Sequence, residues 1–199
     1  MTEVGDETIV GDVLREAGAV KKGHFLLSSG LHSDTYVEKF DLLRNPGATE
    51  AVCRGFVRAF ADAGVQVVVG PTTGGILLAF ETARQMGVLA AYAEREGERG
   101  RAIRRGTTFA PGTRVLVVDD ILTTGGSVRE TLAALDPWSL EVVGVGVIMD
   151  RSTAPVDFGV PLVSLYSEAI AVYRPEDCPL CAAGVPLVKP GTTAQPGPR

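Results

Sequence analysis

The sequence predicts an α/β fold with a central, mainly parallel sheet flanked by helices, and two observations carry that prediction. Short, nearly unbroken apolar runs recur at residues 65–69, 88–92, 114–118, 142–149 and 162–165. Stretches with helical spacing of apolar residues separate several of these runs, at 76–86 and 127–135. Strands buried on both faces read as continuous apolar runs, and their alternation with helices implies parallel crossover connections. In such sheets ligands bind in the loops beyond the carboxyl ends of the strands. Three loops therefore become candidate sites: residues 71–75, 119–127 and 150–151.

Taken in order, the chain opens with Ile9, Val10, Val13, Leu14 and Ala17 at helical spacing, stopped by Gly18. Residues 23–30 and 33–37 read as two short strands with a turn around Gly30. Pro46 suits a first helical position, and residues 48–63 follow as an amphipathic helix ended by Gly64. From residue 65 the strand–helix alternation takes over. Residues 189–199 are Pro, Gly, Thr and Gln without apolar periodicity and read as a disordered tail.

Composition bounds the function. At 199 residues, with 45% hydrophobic and 22% charged side chains, the chain is long enough for one domain with its own core. A net charge of −5 argues against a nucleic-acid partner. Three cysteines are too few and odd in number for a disulfide framework, which points to a reducing, cytoplasmic setting. No signal peptide or membrane-spanning run is expected.

The most informative stretch runs from Val117 to Ser127. An apolar strand ends in Asp119 and Asp120, and the loop Thr123, Thr124, Gly125, Gly126, Ser127 then opens a helix. Glycines allow close backbone approach to an anion, and a helix N-terminus offers unpaired N–H groups and the positive end of its dipole. Three hydroxyls add donors, so the loop suits a phosphate. The adjacent carboxylates would repel a phosphate but suit a sugar diol or hydrated Mg²⁺. A phosphorylated sugar satisfies both halves, whereas the plainer alternative is an Asp N-cap with a Gly-rich turn.

This stretch resembles the ribose-phosphate signature of the type I phosphoribosyltransferases. The resemblance implies that family's fold, with a small N-terminal hood at about residues 1–40 and a core at about 46–170, in a single domain 1–188. It implies that Asp119 and Asp120 hold the ribose hydroxyls of phosphoribosyl pyrophosphate, and that residues 123–127 cradle its 5′-phosphate. Three further segments resemble the orotate phosphoribosyltransferase branch. Residues 25–36 look like its hood motif, with Ser29, Gly30 and Tyr36 facing the pyrimidine. Thr72, Thr73, Gly74 and Gly75 look like its pyrophosphate loop. Asp150-Arg151 looks like the place where an arginine meets the orotate carboxylate, with Thr123 also on the orotate side. A planar guanidinium can pair bidentately with a planar carboxylate, whereas a lone Arg after a strand could equally be a surface ion pair.

The sequence also departs from the pattern. Ser28 and Gly74 stand where more familiar members have lysine, and no lysine lies between Lys39 and Lys189. Residues 94–105 match the flexible catalytic loop but are shortened, and they carry five arginines interleaved with three glutamates. In one reading Arg95, Arg99 and Arg101 replace the lysines that neutralise departing pyrophosphate and, with Asp120, form the catalytic set. In the other this is a solvated β-hairpin with alternating charges. Lys39 is available to compensate for the absent hood lysine. Glu38 and Asp41 read as surface charges, His24 as structural, and His32 as either structural or close to substrate. Cys178 and Cys181 form one CxxC pair; structural zinc needs four ligands, and no second pair follows. They read as structural cysteines of a C-terminal turn, with a zinc shared between two chains or a redox pair as alternatives. Cys53 reads as core.

What the resemblance implies is transfer of the phosphoribosyl group to orotate in pyrimidine biosynthesis, giving orotidine 5′-phosphate and pyrophosphate. It further implies Mg²⁺ held mainly through substrate, with no dedicated protein ligand, and a homodimer with shared active sites. Two rivals are a transferase for a purine base and a non-catalytic sensor of phosphoribosyl pyrophosphate. A purine has no carboxylate for Arg151, and a regulator would need a DNA-binding element that the sequence does not display.

Overall fold

Helix α1 (Val4–Glu16) and the antiparallel hairpin β1 (Val20–Leu26) and β2 (His32–Val37) begin a computed structural model that describes residues 4–27, 29–97, 100–152, 154–167 and 170–190. The hairpin turns through Gly30, at φ +81°. A short helix α2 (Lys39–Leu43) follows, capped by the Glu38 carboxylate, which accepts from the Phe40 N–H. Helix α3 (Pro46–Ala59) starts with Pro46 in its first turn and the Asn45 side chain accepting from the Ala48 N–H, so its onset is written in two adjacent residues.

The remaining elements alternate. They are β3 (Val67–Pro71), α4 (Gly74–Met86), β4 (Leu89–Arg95), β5 (Arg101–Ile103), β6 (Arg114–Leu122), α5 (Gly126–Leu135), β7 (Glu141–Asp150), β8 (Leu162–Tyr166), β9 (Val172–Tyr173) and α6 (Pro179–Ala182). Six strands form one sheet in the order β5-β4-β3-β6-β7-β8. Every pairing in it is parallel except the β4–β5 hairpin. The predicted mainly parallel sheet is therefore present, and its apolar runs are buried on both faces. Val52, Phe56, Leu78, Leu116 and Val118 pack together on the side of α3 and α4. Val69, Val117, Val128, Leu135 and Val147 pack together under α5.

Because β3, β6 and β7 lie side by side, the three loops singled out from the sequence leave the sheet at one edge and converge. That placement makes the site. Among the described residues no helix is long and apolar enough to cross a membrane.

Several boundaries differ from expectation. Helix α3 ends at Ala59 rather than 63, and β6 continues through both acids to Leu122. Neither α2 nor β9 was legible as an element. The hood is not confined to the first forty residues: its three-stranded sheet, ordered β1-β2-β9, takes its third strand from the C-terminal part of the chain. Val10 and Leu14 of α1, assigned to the hood by position, pack into the core cluster with Phe56 and Leu165. Residues 191–199 of the expected tail lie outside the described residues.

Candidate active site

At the end of β6 two carboxylates face opposite ways, as adjacent strand residues do. Asp119 turns to the α5 side, where Ser127 hydrogen-bonds to it, and its Oδ1 accepts the Asp120 N–H at 2.8 Å. Burial first, and the charge of Asp120 second, push its carboxyl up to about 6. Asp120 turns to the other side and ion-pairs with Lys39, whose Nζ lies 2.9 Å from Oδ2 and 3.1 Å from Oδ1. The Ile121 N–H also donates to Asp120 Oδ1 at 2.8 Å. Lys39 thus stands in the site, two residues past the end of the hood hairpin and at the start of α2. It is the cation that neutralises half of the acidic pair.

Beyond the acids, Thr123 and Thr124 are exposed and Gly125 forms the N-cap of α5 at φ +78°, with no side-chain cap on the helix. A Cβ at Gly125 would also sit 3.0 Å from both Phe158 and Val156. The first N–H groups of α5 are left directed at the loop, which is the anion-binding arrangement expected of this segment. Thr123, Thr124, Gly125, Gly126 and Ser127 are all brought to this turn.

The second loop leaves β3 at Pro71. Its Thr72–Thr73 peptide is cis, and Gly74 and Gly75 begin α4. Gly74 lies directly against the acidic pair: a Cβ there would meet Asp120 Oδ2 at 2.2 Å. Glycine at this position lets the two loops touch.

Arg101 ties the two anion loops together. From β5 its Nη1 donates to the Thr72 carbonyl and hydroxyl, each at 3.1 Å, and to the Ala93 carbonyl at 3.2 Å. Its Nη2 donates to Ser127 Oγ at 3.1 Å, and Nε lies 3.4 Å from Glu130 Oε2. Arg101 is 8% exposed, and burial lowers its pKa from the usual arginine value. Of the three arginines expected to act together, Arg95 and Arg101 stand opposite each other across the β4–β5 hairpin. Arg101 is buried between the loops, Arg95 stands exposed at the end of β4, and Arg99 lies outside the described residues. The solvated-hairpin reading holds for the neighbours instead, since Arg104 pairs with Glu96 and Arg105 with Glu94 at the surface.

Arg151 follows β7 and donates its N–H to the Leu122 carbonyl at 2.8 Å, which fixes it beside the 123–127 loop. Burial lowers its pKa from the usual arginine value, and Tyr36 of the hood interacts with it electrostatically. The Tyr36 hydroxyl is raised in turn, by burial and then by Glu38. Ser29 and Gly30 sit exposed at the hairpin turn; Ser28 lies outside the described residues. His32 does not face this group: it is buried against His24, with His24 Nε2 and His32 Nδ1 3.0 Å apart. Glu38 and Asp41 do structural work, as a helix cap and as the partner of Lys21 and Arg44.

A glycine-rich loop at a helix N-terminus beside two carboxylates, a second glycine-rich loop and a partly buried arginine meet at one edge of a parallel sheet, an arrangement that suits a phosphoribosyltransferase. A family model described as a phosphoribosyl transferase domain matches residues 41–158, and the chain belongs to that family. Within it the chain falls among the orotate phosphoribosyltransferases. It is 46% identical over 181 residues to the orotate phosphoribosyltransferase of Caldanaerobacter subterraneus subsp. tengcongensis, covering 91% of this chain and 95% of that one. The Thermotoga maritima enzyme of the same name is 42% identical over 92% of this chain and 98% of its own. Among solved structures, Mycobacterium tuberculosis orotate phosphoribosyltransferase in complex with Fe(III) dicitrate superposes with a TM-score of 0.69 at 27% identity. That superposition covers 82% of this chain and 97% of that one.

Proposed function

We propose that the chain transfers the phosphoribosyl group of phosphoribosyl pyrophosphate to orotate, giving orotidine 5′-phosphate and pyrophosphate. The observation that carries this reading is identity of 46% to an orotate phosphoribosyltransferase across 91% of the chain. In it, the N-terminus of α5 and the hydroxyls of Thr123, Thr124 and Ser127 receive the 5′-phosphate, and Asp119 and Asp120 accept from the ribose hydroxyls. Thr72, Thr73, Gly74, Gly75 and Arg101 face the pyrophosphate. Arg151 pairs with the orotate carboxylate, with Tyr36, Ser29, Gly30 and Thr123 around the ring.

Breaking the anomeric C–O bond leaves positive charge on the ribose and negative charge on the pyrophosphate. The chain's task is to fix the base nitrogen against that carbon and to hold the separating charges. The acidic pair favours a cationic ribose, and Arg101 favours an anionic leaving group. Orotate is anionic through its carboxylate and N1 keeps its proton, so forming the new C–N bond releases that proton, which the departing pyrophosphate oxygens can accept.

The donor set fits a Mg²⁺ that arrives with the substrate rather than one caged by protein. Asp120 is engaged by Lys39, while Asp119 is buried and held toward its protonated form. Such an ion would neutralise pyrophosphate charge through the substrate's own oxygens. Phe40 on α2 and Leu77 and Phe80 on α4 are exposed apolar side chains on packed helices, which supports a homodimer with shared active sites. Free thiols at Cys53, Cys178 and Cys181 accord with a cytoplasmic location.

Purified protein mixed with orotate, phosphoribosyl pyrophosphate and Mg²⁺ should deplete the ultraviolet absorbance of orotate only when all three are present. No depletion, with adenine or hypoxanthine consumed instead, would overturn the choice of base.

A further inference from the structure

Four side chains from distant parts of the sequence meet beside the hood hairpin, away from the acids and the anion loops. They are His24 on β1, His32 on β2, and Cys178 and Cys181 at the start of α6, and their ligand atoms all lie within 4.8 Å of one another. We propose that they form a tetrahedral Zn²⁺ site of the Cys₂His₂ type, built within one chain, that fastens the C-terminal segment to the hood.

The distances support this. A tetrahedral zinc with Zn–N of about 2.05 Å and Zn–S of about 2.3 Å sets its ligand atoms about 3.4 Å (N–N), 3.6 Å (N–S) and 3.8 Å (S–S) apart. The corresponding separations here are 3.0 Å between His24 Nε2 and His32 Nδ1, 3.5 Å from Cys178 Sγ to His24 Nε2, and 3.7 and 3.3 Å from Cys181 Sγ to His24 Nε2 and His32 Nδ1. Four of the six separations thus lie within about 0.4 Å of a coordination tetrahedron, and the other two stay within 4.8 Å.

The protonation pattern agrees. His24 Nδ1 lies 2.8 Å from the Val185 carbonyl, which can only accept, so Nδ1 carries the proton and Nε2 presents a lone pair. A metal-bound histidine whose second nitrogen donates to a carbonyl is the usual outer-shell arrangement. Without a cation, His32 Nδ1 and both thiols turn toward that one lone pair, whereas a cation engages all four groups together. His24, His32 and Cys178 are 2%, 5% and 3% exposed, and water can do little to satisfy them.

Local structure explains how the set assembles. Leu26 pairs with His32 across the hairpin, and the register of β1 shifts between Lys22 and Phe25, an irregularity that holds His24 with its ring centroid 4.9 Å from that of His32. Cys178 caps α6 and Cys181 lies in it, the C-x₂-C spacing that turns two thiolates toward a common point. The site also has a mechanical use. Helix α6 has four residues, and Val185, Leu187 and Val188 beyond it remain exposed. Backbone bonds add to the cluster and the Val185 contact to His24: Leu26 N–H donates to the Val188 carbonyl at 2.9 Å, and Val188 N–H to the His24 carbonyl at 2.8 Å. A metal is a recognised staple where so little apolar area is buried. One CxxC pair supplies only two ligands, and the histidines that complete the set lie more than 140 residues earlier in the chain.

The proposal is independent of the transferase reading, and its test does not use turnover. Full-length protein is produced in zinc-supplemented medium, purified without chelator and assayed for metal by mass spectrometry. About one zinc per chain is expected. Exchange for Co²⁺ should give the visible bands of a tetrahedral ion together with a thiolate charge-transfer band. Cys181→Ser, at the exposed corner of the site, should lower retained zinc at least about tenfold after dialysis against chelator. Chelation should lower the unfolding temperature of the wild type and expose its C-terminal segment to protease, with little further effect on Cys181→Ser. Negligible zinc with no tetrahedral cobalt spectrum overturns the proposal, as does zinc content that Cys181→Ser leaves unchanged. A Cys178–Cys181 disulfide in zinc-supplemented protein, seen as a mass deficit of two hydrogens, overturns it as well. Should Cys181→Ser fail to fold, the wild-type stoichiometry and cobalt spectrum decide alone.

Discussion

Replacing Lys39 by methionine removes the cation that pairs with Asp120 while keeping a similar apolar stem. The Lys39 side chain is 38% exposed and that of Asp120 only 6%, with 2.9 Å between Nζ and Oδ2. Breaking a fully buried pair costs about 3–5 kcal/mol and an exposed one well under about 1 kcal/mol. With one partner buried and the other partly hydrated, the expected loss is about 1–3 kcal/mol at neutral pH. The loss should depend on pH with a definite sign. Asp119 already has its carboxyl raised to about 6, by burial and the charge of Asp120, and Lys39 is among the groups that lower it. A carboxyl whose folded value is raised above its unfolded value of about 3.9 binds protons more tightly in the folded state, so stability falls as pH rises through that interval. Without Lys39 the interval widens and the two carboxylates repel without compensation. Urea unfolding of wild type and Lys39→Met at about pH 5 and about pH 8 measures the effect. The gap in midpoint should be larger at the higher pH and shrink at the lower one. Equal gaps at the two pH values, or a more stable variant at pH 8, would refute the electrostatic account of Lys39.

Gly74→Ala places a methyl 2.2 Å from Asp120 Oδ2, so the carboxylate must turn away from Lys39. The expected cost is about 1–3 kcal/mol in unfolding free energy, with a higher KM for phosphoribosyl pyrophosphate and little change in that for orotate. Arg101→Gln keeps some hydrogen bonding but removes the charge and the reach across both loops. A loss of at least about 2 kcal/mol in transition-state stabilisation, roughly thirtyfold in kcat/KM, is expected from steady-state kinetics. Arg151→Lys keeps the charge but not the fork, and should raise the KM for orotate about tenfold while leaving phosphoribosyl pyrophosphate binding by calorimetry unchanged.

Residues adjacent in sequence were easiest to read. The five apolar runs predicted the parallel sheet because strands buried on both faces must be apolar throughout. The stretch from Asp119 to Ser127 predicted an anion loop because strand end, glycines and helix start follow one another without interruption. Pro46 marked the start of α3 because its fixed φ suits a first helical position, a preference settled within one turn. The five-residue helix α2 and the two-residue strand β9 left no comparable mark, since neither is long enough to show a period. Both owe their conformation to neighbours, β9 to its pairing with His32 and Ser33.

The sequence by itself therefore determined the strand–helix alternation, the phosphate loop and the family resemblance, all carried by short-range pattern. Tertiary structure alone decided what depends on distance through space. The β4–β5 register and the parallel order of β3 and β6 put Arg101, opposite Arg95 across the hairpin, between Thr72 and Ser127. The turn after β2 carries Lys39 to Asp120, 81 residues further along the chain. Folding of the C-terminal segment back onto the hood brings Cys178 to His24, across 154 residues. Ion pairing and metal coordination fall off over a few ångströms, and no local pattern in a sequence encodes which distant residues come that close.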